Sequence, residues 1–110
     1  MVFISKSSNL SIDNILHLHG IKFQVEHKFH PKRKWRFDFV VLPIELKIAI
    51  EFEGGVWRSK GAHNTGVAFT KDCEKYNKAT AMGWRIFRYT VNMLRENPGQ
   101  VIDDIRGVMR

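Results

Sequence analysis

A chain of 110 residues, 44% apolar and 26% charged, has the length and composition of one folded domain, which excludes a second lobe and a disordered chain. Eighteen Lys and Arg stand against eleven Asp and Glu, a net charge of +7. That excess favours a polyanionic partner, because each phosphate neutralised releases condensed counterions. The single cysteine, Cys73, excludes an internal disulfide and a thiolate-cluster zinc site, and no apolar run approaches membrane-spanning length. Met1 to Lys6 has no signal-peptide apolar region, so the expected compartment is the cytoplasm. Cys73 is read as a packed helix residue.

In chain order, Ser8 to Gly20 reads as a helix, with Leu10, Ile12, Ile15, Leu16 and Leu18 on its apolar side and Gly20 as the stop. Lys22 to His30 alternates, with Phe23, Val25 and Phe29 opposite Gln24, Glu26 and Lys28, and predicts a strand. Pro31-Lys32-Arg33 turns the chain into a second strand, Lys34 to Val41. Leu42 to Glu45 turns it again into a third, Leu46 to Glu53. The glycine-rich stretch from Gly54 to Phe69 reads as a loop. Thr70 caps a helix running to about Met82, and Gly83 ends it. Trp84 to Tyr89 is a short fourth strand. Asn97-Pro98-Gly99-Gln100 opens a last helix carrying Val101, Ile102, Ile105 and Val108 inward. The expected fold is α/β, of order αβββαβα, with helices flanking one mixed, mostly antiparallel sheet.

Side chains alternate along a strand, so parity assigns faces. Trp35, Phe37, Phe39 and Val41 fall on one face of the second strand, and Arg36 and Asp38 on the other. In the third, Ile48, Ile50 and Phe52 oppose Lys47, Ala49, Glu51 and Glu53. A loop over 43–46 pairs Leu42 with Lys47 and therefore Asp38 with Glu51, bringing apolar face to apolar face. A loop over 31–33 pairs Phe29 with Trp35 and therefore Glu26 with Asp38. Three carboxylates then lie in a row across three strands, with Glu53 two residues on. Directly opposed like charges, about 5 Å apart at Cβ, are destabilising. A divalent cation would offset that repulsion. The plainer alternative is a solvated face on which Lys28, Arg36 and Lys47 pair with these acids.

Trp35-Arg36-Phe37-Asp38-Phe39 followed by Glu51-Phe52-Glu53-Gly54-Gly55 resembles the PD-(D/E)XK nuclease superfamily. The likeness is greatest to its compact branch of very-short-patch-repair-like and small phage-type endonucleases. It extends through Gly54-Gly55-Val56-Trp57, His63, the helix Asp72-Cys73-Glu74-Lys75-Tyr76-Asn77 and Gly83-Trp84-Arg85-Ile86-Phe87-Arg88, and so covers residues 22–90. The resemblance implies a restriction-endonuclease-like core, with Asp38, Glu51 and the Phe52 main-chain carbonyl as metal ligands. The family pattern has Lys two residues after the second acid, where this chain has Glu53. Glu53 is then a further ligand or a catalytic residue, Lys75 a replacement for the missing cation, and Glu26 an additional acid.

Phosphodiester hydrolysis needs an activated water and neutralisation of charge on phosphate, which Mg²⁺ bound by hard carboxylate oxygens provides, with Mn²⁺ as a substitute. Lys75 or His63 can orient water or stabilise charge. Lys28, Lys32, Arg33, Lys34 and Arg36 surround the first hairpin turn. Arg58 and Lys60 sit in the glycine-rich loop, with Trp57 available for stacking. The expected function is a Mg²⁺-dependent DNA endonuclease, phage- or prophage-like, acting on duplex or branched DNA, with a homodimer as one option. Three alternatives stand beside it. They are a nucleic-acid-binding module with a degenerate site, a repair nickase, and a basic ribosome-associated protein.

Overall fold

The computed structural model describes residues 11–54 and 65–109. The elements are α1 (Ile12–Leu18), β1 (Phe23–Lys28), β2 (Arg36–Val41), a 3-10 turn (Ile44–Leu46), β3 (Ile48–Phe52), α2 (Thr65–Ala81), β4 (Arg85–Tyr89), α3 (Val91–Glu96) and α4 (Gly99–Met109). The strands form one sheet in the order β1-β2-β3-β4. β1, β2 and β3 are antiparallel neighbours, while β4 runs parallel to β3 after the α2 crossover. The protein is thus α/β, with helices on both faces of a mixed four-stranded sheet. Among the described residues, no helix is long and apolar enough to cross a membrane.

Two glycines end helices as the sequence reading expects. Gly20 (φ 69) donates to the His17 carbonyl while the Ile21 N–H reaches back to Leu16 at 3.0 Å. Gly83 (φ 91) donates to Thr80 while the Trp84 N–H reaches Ala79 at 3.0 Å. Both are Schellman closures, in which a left-handed residue without a Cβ satisfies carbonyls the helix end leaves orphaned.

Three features differ from expectation. The second helix starts at Thr65 rather than Thr70, whose hydroxyl donates to the Gly66 carbonyl one turn back (2.9 Å) instead of capping a helix end. A short helix, α3, stands where none is expected. Its signal lies in Thr90, whose side chain accepts the Met93 N–H at 3.2 Å. Cys73 is exposed on α2 rather than packed.

The two sheet faces bury separate cores. Ile12, Ile15 and Leu16 of α1, Leu94 of α3 and Val101, Ile102 and Ile105 of α4 pack with Val41, Ile48, Ile50 and Tyr89. On the other face Val40, Ala49, Phe37, Trp84 and Phe29 pack with Ala79 of α2. The expectation of one greasy face and one acid-bearing face is therefore corrected, because Val40 and Ala49 are fully buried on the side parity reserves for Asp38 and Glu51. Phe37 also joins this α2-side core, whereas Phe39 and Val41 belong to the opposite one. Its ring stacks on Phe29 (centroids 4.1 Å, planes 7° apart) and leans on Trp84 at 4.9 Å. Phe37→Ala is expected to cost about 4 kcal/mol through lost transfer energy and an uncollapsed cavity. In a domain this size that lowers the melting temperature by more than about 10 °C, measurable by calorimetry.

Candidate metal and phosphate site

The expected strand register is the observed one. β1 pairs Val25 with Phe39 and His27 with Phe37, which sets Glu26 opposite Asp38. β2 pairs Phe39 with Ile50 and Val40 with Ala49, which sets Asp38 opposite Glu51. At Asp38 both ladders lapse. Glu26 adopts a left-handed backbone (φ 51), a conformation that costs free energy for a residue with a Cβ and is incompatible with regular pairing. On the other side the β2–β3 pairing goes no further than Phe39 and Ile50.

The main-chain donors released there turn to the two carboxylates. The Asp38 N–H donates to Glu51 Oε2 at 2.8 Å, and the Phe52 N–H donates to Asp38 Oδ2 at 2.8 Å. Each acid is thus fixed by the other strand's backbone. In an extended strand the N–H and C=O of one residue point the same way, so the Phe52 carbonyl faces this fork as well.

The register row does not become a ligand cluster. Glu26 is exposed, and among the described residues no three carboxylate, imidazole or thiol groups gather as a metal site of side chains alone would require. Glu53, expected as a further ligand, is engaged elsewhere. Its carboxylate accepts from Arg88 Nε at 2.9 Å. What the fold brings together is Asp38, Glu51 and, from α2, Lys75. The Lys75 ammonium donates to Glu51 Oε1 at 3.0 Å, with its side chain only 16% exposed and that of Glu51 7%.

Two further residues complete the site, and the sequence alone gives neither a role in it. The Tyr76 hydroxyl donates to the same Glu51 Oε1 at 2.6 Å. Arg88 lays its guanidinium over the Tyr76 ring, 4.4 Å from the centroid. Adjacent helix positions do not share a face fully, so the sequence signal for Tyr76 was only its place beside Lys75. For Arg88 the signal was parity, since the parallel ladder pairs it with Glu51.

The electrostatics follow from this packing. Burial is the largest cause raising the Asp38 carboxyl above its ordinary 3.8; the Phe52 amide opposes it, the Glu51 and Glu26 charges add to it, and Lys75 opposes it. Burial, followed by the hydrogen bond to Glu51, drives the Tyr76 phenol well above its usual value, so it stays a donor. The hydrogen bond to Glu53 is the main influence holding Arg88 charged.

Around this centre the basic hairpin behaves unevenly. Lys28, Lys32, Lys34 and Arg36 are exposed. Arg33, exposed as well, stacks on Trp35 at 4.0 Å and reaches Glu74 of α2 at 3.6 Å. His63, Trp57, Arg58 and Lys60 lie outside the described residues. No protein-family model, curated protein or solved structure matches the chain. Functional assignment therefore rests on the chemistry of the site.

Proposed function

We propose that the protein is a divalent-metal-dependent DNA endonuclease with a restriction-endonuclease-like core of the PD-(D/E)XK type. The observation that carries this reading is the exchange of carboxylates for ladder hydrogen bonds at the β2–β3 fork, with Lys75 delivered to Glu51. A buried carboxylate, Glu51, set against a half-buried one, Asp38, is destabilising unless a cation joins them. Lys75 offsets one of them.

The donor set fits Mg²⁺. Asp38, Glu51 and the Phe52 carbonyl are hard oxygens, and Mg²⁺ characteristically takes one or two carboxylates and keeps several waters. Asp38 Oδ1 accepts no hydrogen bond among the described residues, and the raised Asp38 carboxyl is what a cation alongside would relieve. When bound, Mg²⁺ or Mn²⁺ supplies the activation of water and the neutralisation of phosphate charge. The chain's own residues do the rest. Backbone amides hold the two acids in place, Lys75 and Tyr76 orient Glu51, and Lys28, Lys32, Lys34 and Arg36 attract the phosphate backbone. A small basic domain of this kind suits branched DNA, engaged as a homodimer.

Supercoiled plasmid, linear duplex and a four-way junction, each incubated with Mg²⁺, Mn²⁺ or EDTA, test the reading. Cleavage that needs the metal is expected, with light scattering reporting a dimer if junctions receive paired nicks. Glu53's engagement with Arg88 favours a second reading, a binding module that has lost catalysis. DNA binding without cleavage under every metal condition would establish it and refute the nuclease.

A further inference from the structure

Among the described residues, Arg88 is the one cation of this site that is both fixed and open to solvent. Its side chain is 45% exposed. Nε is spent on Glu53, and the guanidinium plane rests on the Tyr76 ring. Among the described residues neither terminal amino group has a hydrogen-bond acceptor. Such a side chain has already lost its rotamer freedom and presents a planar pair of donors, the geometry that matches two oxygens of a phosphate. Lys75, by contrast, is largely buried and committed to Glu51.

We propose that Arg88 is a phosphate-binding residue, clamped by Glu53 and Tyr76 so that its free amino groups meet a phosphodiester beside the Asp38–Glu51 pair. Glu53 is then the holder of this arginine rather than a ligand. Tyr76 is a positioning residue that couples the two halves of the site, since its hydroxyl serves Glu51 while its ring serves Arg88. The ligand class is the nucleic-acid backbone, so the assignment deepens the nuclease reading and rests on it for the identity of the polymer.

The measurement is binding of a fluorescently labelled duplex in EDTA across a salt series, which needs no catalysis. Arg88→Gln is expected to weaken binding about tenfold, the size of one charge-assisted contact. It should also flatten the slope of log K against log salt by about 0.9, one phosphate's share. Arg95→Gln, a charge removed from exposed α3, should leave the slope in place. Glu53→Gln replaces the ion pair with a neutral hydrogen bond, so it should keep the slope and still lose affinity, because the Arg88 charge remains but is held less firmly. A folded R88Q with the wild-type slope, equal flattening in R95Q, or wild-type affinity in E53Q would each overturn the assignment. Should R88Q fail to fold by circular dichroism, E53Q carries the test. Wild-type protein that binds duplex but never cleaves it sinks the nuclease reading and leaves the Arg88 test intact; wild type that binds no duplex overturns both.

Discussion

Asp38→Asn is expected to reduce metal-dependent cleavage about a thousandfold, the scale of losing one preorganised charge at a phosphoryl centre, while raising the melting temperature of the metal-free protein. The two effects have one cause. Asp38 is partly buried between Glu51 and Glu26, and its carboxyl is raised above 3.8. Below that pH the folded and unfolded chains both hold the proton, and the residue does not alter their balance. As pH rises through the folded value, the native state must ionise a group that ionises more readily in water, and stability is lost. The penalty is complete once the pH exceeds the folded value. Asparagine keeps an oxygen for the Phe52 N–H and removes the charge. The gain of D38N over wild type should therefore be present at pH 7 and vanish below about pH 4, as followed by thermal melts across pH. Added Mg²⁺ should raise the wild-type melting temperature and leave that of D38N unmoved. A variant that cleaves normally, or is less stable than wild type at pH 7, contradicts this account of the site.

Lys75→Met should act in the opposite direction on stability. The Lys75–Glu51 pair is largely withdrawn from water, and removing one partner of a buried pair leaves the other charge uncompensated. The cost is about 3 kcal/mol, or roughly 10 °C in a domain of this length. Glu51 would keep the Tyr76 hydroxyl and the Asp38 N–H, which limits the loss without cancelling it. Adding Glu51→Gln to Lys75→Met should recover much of that stability, because the orphaned charge disappears with its partner. The double-mutant cycle is the direct measure of this coupling. Mg²⁺ should restore stability to K75M alone and not to the double variant. Additive losses in denaturant melts would show that the contact contributes nothing.

Much of the framework is legible in the sequence. Trp35-Arg36-Phe37-Asp38-Phe39 and Ile48-Ala49-Ile50 alternate in the sequence, and an even register is the only one that brings their apolar sides together. Turn lengths alone therefore placed Glu26, Asp38 and Glu51 in line, and the observed pairs agree. The helix stops at Gly20 and Gly83 were equally readable, since the left-handed closure there favours glycine. Short α3 was not, because six residues carry too little periodicity to separate from the end of a strand.

Parity failed in two respects, and the first has a clear reason. It treats each strand as a uniform ribbon with one wet face, and here α2 covers the second face, so Val40 and Ala49 are core residues. The alternation also changes phase between Phe37 and Phe39, at the position where Glu26 leaves the ladder. That left-handed residue has no sequence signature, since glutamate is not a residue type that favours it.

The carboxylate pair opposite each other on β2 and β3 was thus determined by local sequence, through pleat and turn length. Which groups neutralise that pair was decided only by tertiary structure. Lys75 and Tyr76 reach Glu51 from a helix 24 and 25 residues along the chain, and Arg88 captures Glu53 from a strand 35 residues away. No periodicity encodes those distances. They follow from how α2 crosses the sheet and lays β4 parallel to β3, because an ion pair forms wherever packing brings opposite charges together out of water.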